Sequence, residues 1–387
     1  MSPSYCERSC RIMLSKGTCV KIVAVSLLAV AVQHIARLVV SSGIFTHHYK
    51  HFPGPCRKVE NIQLGSEDFY TLPDGLTFIS SGFRMQNMGR GVEEHFRKNK
   101  LEGRMYLFDF KKADAGVKEL KIRSTDLFNV DTFHPHGVGV WEDKKAGRHV
   151  VFVVNHPLEE PVADRIEKFI FDPNKLELLH QAYYSGEAMK SVNDVQPTGE
   201  DSFYFTNYQY FRNRVPVTLE TLLQLRITDV VHFDANNYTV VADDLASANG
   251  IAMSKDGQYI YVAPCLGQEI RVFRRNKDNS LTLQQIFPLY TIPDNIQVDH
   301  TTGDLYVGCH PIAYKVLLHM EEPSEHLAPS QVLQLRVKDG NITSAQELLY
   351  DHGELISGST SALVYNRKLL VGSIFHNLVT CDVNIPL

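Results

Sequence analysis

The chain has 387 residues, 44% of them hydrophobic and 21% charged, with a formal net charge of −5. That is ample apolar material for a sizeable core. So mild a charge gives no electrostatic case for nucleic acid as a partner.

Residues 1–21 are a polar lead carrying Arg8, Arg11, Lys16 and Lys21, and Ile22 to Val32 are then apolar but for Ser26. Gln33, His34 and Arg37 interrupt before Leu38-Val39-Val40 resumes. So short a run fits a signal-peptide core with Ala29-Val30-Ala31 as a cleavage site, and it is marginal for a span, which wants about 20 apolar residues. The long basic lead favours an uncleaved signal-anchor over residues 22–43, with residues 1–21 as a cytosolic tail. On that reading everything downstream is luminal or extracellular, at the endoplasmic reticulum, the cell surface or both. Cys6, Cys10 and Cys19 are candidates for palmitoylation. Residues 44–55, including the histidine-rich Thr46-His47-His48-Tyr49-Lys50-His51, read as a solvated juxtamembrane linker.

From residue 56 to 387 one phrase recurs. Asn249-Gly250-Ile251-Ala252-Met253 runs as an alternating strand, turns at Lys255-Asp256-Gly257 and returns as Tyr259-Ile260-Tyr261-Val262-Ala263. Asp294-Asn295-Ile296-Gln297-Val298 does the same around Thr302-Gly303, and His136-Gly137-Val138-Gly139-Val140 around residues 144–147. Asn193-Asp194-Val195 is followed by Ser202 to Asn207, while Glu67-Asp68 with Leu72 to Ser80, and Gly358 to Ser373, read as the first and last copies. Units too short to bury their own faces must stack on one another. Stacked β meanders give an all-β propeller. Two stretches depart from the pattern. Residues 84–104 read as a long polar loop of the kind that covers a site. Residues 216–227 read as a helix with Pro216 at its start and Leu219, Leu222 and Leu223 on one face.

The residues that open the repeats are Glu67, His136, Asn193, Asn249 and Asp294-Asn295. In a propeller these positions surround one central channel. Any single Asn or Asp at a strand start is accounted for by an Asx turn, but the same choice in phase across the repeats points to convergence on one point. Carboxylate and amide oxygens, with no thiolate, suit a hard cation that takes many oxygen ligands, which favours calcium over zinc. No G-x-S-x-G occurs; Gly358-Ser359-Thr360-Ser361-Ala362 has Thr360 at the serine position and lacks the final glycine. There is no H-E-x-x-H and no paired C-x-x-C for zinc.

Several stretches resemble the paraoxonase (arylesterase/lactonase) family: Gly65-Ser66-Glu67-Asp68, Leu72-Pro73-Asp74-Gly75-Leu76, Phe133-His134-Pro135-His136-Gly137 and Val153-Val154-Asn155-His156-Pro157. Val192-Asn193-Asp194, Ala248-Asn249-Gly250-Ile251, Asp294-Asn295, Val307-Gly308-Cys309-His310-Pro311 and Gly358-Ser359-Thr360 continue it in the family's order. The resemblance implies a six-bladed β-propeller with two calcium ions in its tunnel. It implies a catalytic calcium held by Glu67, Asn193, Asn249, Asp294 and Asn295, and a structural one held by Asp68, Asp194 and the Val138 carbonyl. It also implies His136 as the residue that activates water, with His156 as its relay partner. A disulfide between Cys56 and Cys381 and an unpaired Cys309 are implied as well. Cys265 and Cys309 read as small buried apolar residues. Asn237-Tyr238-Thr239 and Asn341-Ile342-Thr343 are glycosylation sequons, meaningful if the domain is luminal.

Three places depart from the family's pattern. Its Asn-Asp-His-Tyr-Phe is Asn207-Tyr208-Gln209-Tyr210-Phe211 here, its Asn-Gly after Cys-His-Pro is Ile312-Ala313, and an aromatic before Ala248 is Ser247. The ligands are intact and the substrate-facing wall has changed. One expectation is therefore a calcium-dependent hydrolase of esters or lactones with an altered substrate range. The other is a non-enzymatic, membrane-anchored accessory protein or chaperone, similar to paraoxonase-like proteins that assist folding or surface delivery of degenerin-type sodium channels.

Overall fold

The computed structural model describes residues 16–86, 88–158, 163–234 and 237–387. Arg8, Arg11, Cys6, Cys10 and the Cys19 side chain lie outside what is described. The first helix, α1 (Lys16–Ser41), contains no proline and carries its helical pattern through Gln33, His34 and Arg37. Its segment Val20–Ser41 has 22 residues and a mean hydropathy of 2.0, long and apolar enough to cross a membrane.

Residues 41–387 form a separate compact unit. Its strands are rich in β-branched and aromatic residues, and runs such as Val150 to Val154 are buried at every position. Such runs mark sheets covered on both faces. Four sheets hold four antiparallel strands each, and a fifth holds eight. The eight-stranded sheet is two such meanders, whose outer strands Val117–Arg123 and Glu177–Tyr184 pair in parallel. The result is a propeller-like ring of meanders with apolar cores between neighbouring sheets.

Ring closure combines three elements. The strand Cys56–Lys58 adds to the last sheet beside Val379–Asp382, with Cys56 opposite Cys381. Those two cysteines form a disulfide, while Cys265 and Cys309 are free and buried. Between the first and last sheets Phe69, Ile79 and Phe108 pack with Leu363, Leu370 and Val379 in one apolar cluster.

Innermost strands carry a shared irregularity. In five of them the antiparallel register skips two residues, at His136-Gly137, Asn193-Asp194, Asn249-Gly250, Asp294-Asn295 and Thr360-Ser361. A bulge turns side chains out of the pleat's alternation, and here it turns them into the tunnel. The inner strands are crowded at this level. A Cβ on Gly137 would lie 2.5 Å from the Asn193 oxygen, and one on Gly250 would lie 2.6 Å from the Asn295 Cα.

Three expectations need correction. Residues 84–104 are not simply a loop: α2 (Arg90–Asn99) forms there and buries Val92, His95 and Phe96, an i, i+3, i+4 stripe hidden among charges. The helix expected from Pro216 is α3 (Arg214–Leu222), beginning two residues earlier, with Leu219 and Leu222 about half exposed. A further helix, α4 (Ala313–Glu321), follows His310-Pro311. The stretch read as a solvated linker is partly packed, since His48 stacks on Tyr350 at 4.5 Å and the His51 and Tyr350 backbones bond to each other.

Candidate active site

The bulged dyads bring together residues from 67 to 295. Glu67, His136, Asn193, Asn249 and Asp294 line one cavity of about 800 Å³, open to solvent, whose outer walls include Phe83, Met85, Tyr208 and the α4 residues Val316, Leu317 and Met320. Asn295 stands behind Glu67, its Nδ2 donating to Glu67 Oε1 at 3.2 Å. His310 Nε2 contacts Asp294 Oδ2 at 2.8 Å. Hydroxyls of Thr360 and Ser361 donate to the Glu67 main-chain oxygen.

Each of these five expected ligands retains a buried side-chain oxygen without a hydrogen-bond partner: Glu67 Oε2, Asn193 Oδ1, Asn249 Oδ1, Asp294 Oδ1 and Asn295 Oδ1. A buried acceptor left unpaired costs roughly 1–3 kcal/mol, so five in one place need a common partner. A cation satisfies several such acceptors at once. Burial, and after it the charge of Asp294, pushes the Glu67 carboxyl well above its ordinary range. An ion among these oxygens would restore the ionised form. The donor set fits a hard divalent ion such as calcium. Among the described residues there is no group of three or more His, Cys, Asp or Glu placed to hold a metal. That suits a site in which three of five donors are amides.

The second expected set, Asp68, Asp194 and Val138, has a different signature. Asp68 Oδ2 accepts from the Val138 amide at 2.8 Å and Oδ1 from Ser361 Oγ at 2.9 Å. Asp194 accepts from the Val195 and Ile251 amides at 2.7 and 2.8 Å. No carboxylate oxygen here is orphaned. Burial pushes both carboxyls well up, with Glu67 next for Asp68 and Asp68 next for Asp194. Val138 and Asp194 line a separate cavity of about 370 Å³ with Gln297 and His300.

The two histidines are in contact, His136 Nδ1 lying 2.9 Å from His156 Nε2. His136 Nε2 is 3.4 Å from both Glu67 Oε1 and Asn193 Nδ2, which sets it beside the orphaned oxygens. Burial lowers His136 to about 4, so it is neutral near pH 7. Of the altered wall positions, Tyr208 lines the mouth cavity. Cys265, and then burial, pushes its phenol well up. Gln209 lies in a neighbouring cleft of about 410 Å³ together with His156. Asn237 and Asn341 lie apart from the tunnel, each at the start of an outermost strand.

Fold and site together define a β-propeller whose tunnel holds an oxygen-donor ring beside a histidine pair. A family model described as arylesterase matches residues 52–383. Serum paraoxonase/arylesterase 1 of Mus musculus is 34% identical over 331 residues, covering 85% of this chain and 88% of that protein. Serum paraoxonase/lactonase 3 of Rattus norvegicus is 33% identical over 331 residues, covering 86% and 89%. Among solved structures, a luciferin-regenerating enzyme has a TM-score of 0.51 at 10% identity, covering 86% of this chain and all of its own, a likeness of fold alone. The chain belongs to the arylesterase (paraoxonase) family, a family of ester and lactone hydrolases.

Proposed function

We propose that the chain is a calcium-dependent hydrolase of esters or lactones, working at the mouth cavity. The observation that carries this is the ring of five orphaned oxygens with the His136–His156 pair at its edge. Glu67, Asn193, Asn249, Asp294 and Asn295 would hold the ion, with His310 orienting Asp294 and Asn295 orienting Glu67. Calcium in that place supplies positive charge that polarises a carbonyl and stabilises the developing oxyanion. His136, kept neutral by burial, accepts the proton of the attacking water through Nε2, and His156 takes the positive charge up through the 2.9 Å contact. The apolar side chains of Phe83, Val316, Leu317 and Ile374 bind the non-reacting part of the substrate and exclude bulk water. A second, structural calcium between Asp68, Asp194 and Val138 is supported by the two carboxyls, each made costly to ionise by burial.

Hydrolysis of phenyl acetate and aliphatic lactones by the full chain, with and without a calcium chelator and beside His136→Gln, tests the reading. Calcium-dependent turnover lost in the variant supports it. A folded, calcium-loaded protein inert on the whole panel overturns it.

A second reading rests on the changed wall. Tyr208 places a phenol in the mouth, and Gln209 places an amide in the neighbouring cleft, where the family's pattern has an acid and a base. On that reading the ions are structural and the propeller is a luminal or extracellular chaperone domain held by α1, acting on degenerin-type channel subunits. Channel maturation and current that do not change on co-expression would defeat it. In either case α1 serves as the anchor of a single-pass protein, and Asn237 and Asn341 carry glycans.

A further inference from the structure

His156 has a second neighbour, absent from every repeat and motif. Its Nδ1 lies 3.1 Å from Asp164 Oδ1, an ion-pair distance short of straight hydrogen-bond alignment. Such contacts commonly tighten when substrate binds. The other oxygen, Asp164 Oδ2, accepts from the Val192 amide at 2.9 Å, which fixes the carboxylate to the strand that carries Asn193. His136 opens on the mouth cavity, whereas His156 and Asp164 line the neighbouring cleft with Lys190 and Arg212. Burial pushes the Asp164 carboxyl up, but His156, the Val192 amide and Arg212 outweigh it and hold it below its usual range. It is therefore ionised and can only accept.

We propose that Asp164 is the positioning residue of a three-member relay, fixing the tautomers of His156 and His136 so that His136 Nε2 is the bare nitrogen beside the donor ring. This rests on the hydrolase reading above.

The argument is one of polarity along a chain of contacts. A carboxylate at His156 Nδ1 demands a proton there, which in the neutral ring leaves His156 Nε2 bare. His136 Nδ1, 2.9 Å away, must then donate, which leaves His136 Nε2 bare. Asn193 Nδ2, 3.4 Å from that nitrogen, donates to it, and this turns Asn193 Oδ1 toward the ring, where it is one of the orphaned oxygens. Glu67 Oε1, also 3.4 Å from that nitrogen, is already engaged by Asn295. Every link has the same sense. With His156 neutral, the opposite sense needs a protonated Asp164 and a flipped Asn193 amide, which would take an oxygen out of the ring. A second group that orients an imidazole through its far nitrogen is the general way its tautomer is set.

The test is Asp164→Asn in the full-length, calcium-loaded chain, with Asp164→Glu as the conservative variant. The asparagine keeps an acceptor for Val192 and can turn an amide N–H toward His156 Nδ1, reversing the chain. Expected for Asp164→Asn is a kcat lower on the order of 100-fold, with KM nearly unchanged and activity partly restored in Asp164→Glu. Imidazole ¹⁵N resonances, assigned by their loss in His136→Gln and His156→Gln, should show Nδ1–H on both rings of the parent and Nε2–H on both in Asp164→Asn. Nε2–H on His136 in the parent, or tautomers indifferent to the substitution, would overturn the proposal. A parent without turnover but with the expected tautomers would sink the hydrolase reading and leave Asp164 as the orienting group. Unchanged kcat in an active protein would leave that reading standing and sink the role of Asp164.

Discussion

Asn295 and Glu67, 228 residues apart in the chain, meet in the tunnel, where the Asn295 Nδ2 donates to both the main-chain oxygen and Oε1 of Glu67 at 3.2 Å. An amide committed through its nitrogen presents its oxygen, and a carboxylate held through one oxygen presents the other. Both presented atoms are buried and unpaired. A ligand that binds only the folded ring stabilises it by about 2.7 kcal/mol at a hundredfold excess over Kd. Calcium added to chelator-stripped protein should therefore raise the unfolding temperature in a concentration-dependent way. Glu67→Gln, which keeps the shape and removes the charge, should shift that dependence to higher calcium. Thermal unfolding indifferent to calcium in both proteins would refute the assignment.

Close approach of the inner strands makes a second, purely steric expectation. Gly250 faces the Asn295 Cα and Asp294 oxygen at 2.6 and 2.7 Å from where a Cβ would sit, and backbone cannot move aside as a flexible side chain can. Gly250→Ala should push apart two strands that each carry ring ligands. Overpacking of this kind costs typically about 1–3 kcal/mol. The expected result is a lower urea midpoint together with weaker calcium binding by isothermal titration. A loss of stability with calcium affinity intact would mean the two strands do not share the ion.

These contacts also show how far the sequence could be read. The tunnel residues were legible because each opens a repeat, so phase alone predicted their convergence. Thr360-Ser361 occupies the same phase, and its bulge matches the other four. Hydroxyls at that position carried no obvious ligand chemistry, because their work is to donate to Glu67 and Asp68. Asp164 gave no signal: it lies between repeats, and only the fold brings it to His156. Helix α2 was hidden because Val92, His95 and Phe96 are its only buried face among residues as polar as Glu93, Glu94, Arg97 and Lys98. Hydrophobic periodicity is weakest where a helix buries a single narrow stripe.

Closure of the ring through Cys56 and Cys381 spans 325 residues of chain. In the chain-entropy account a loop of that order is worth about 6 kcal/mol. Because the same join is also made by strand pairing and by the Phe69–Leu363 cluster, its removal should loosen the ring without abolishing the fold. The Cys56→Ser/Cys381→Ser protein should unfold at markedly lower denaturant, with faster hydrogen exchange in Cys56–Lys58 and Val379–Asp382 ahead of the other sheets. Uniform exchange across all sheets would argue that the disulfide is not what keeps the ends from peeling.

Acid should destabilise the propeller through histidines that are not among the proposed ion ligands. Burial lowers His134, His319 and His376 to about 4, from an ordinary value of 6.5. Arg84 adds to the shift for His134 and Lys58 for His376, whereas the His326 carbonyl opposes it for His319. Between those two values the unfolded chain binds protons that the folded chain refuses. Stability therefore rises with pH through this window and is lost as pH falls from about 6.5 toward 4. Urea midpoints measured across that range, in chelator so that calcium release does not contribute, should decline. In a His319→Gln/His376→Gln protein the decline should be shallower, because two of the groups that charge on unfolding are gone. Equal slopes in parent and variant would assign acid sensitivity to the tunnel carboxylates instead.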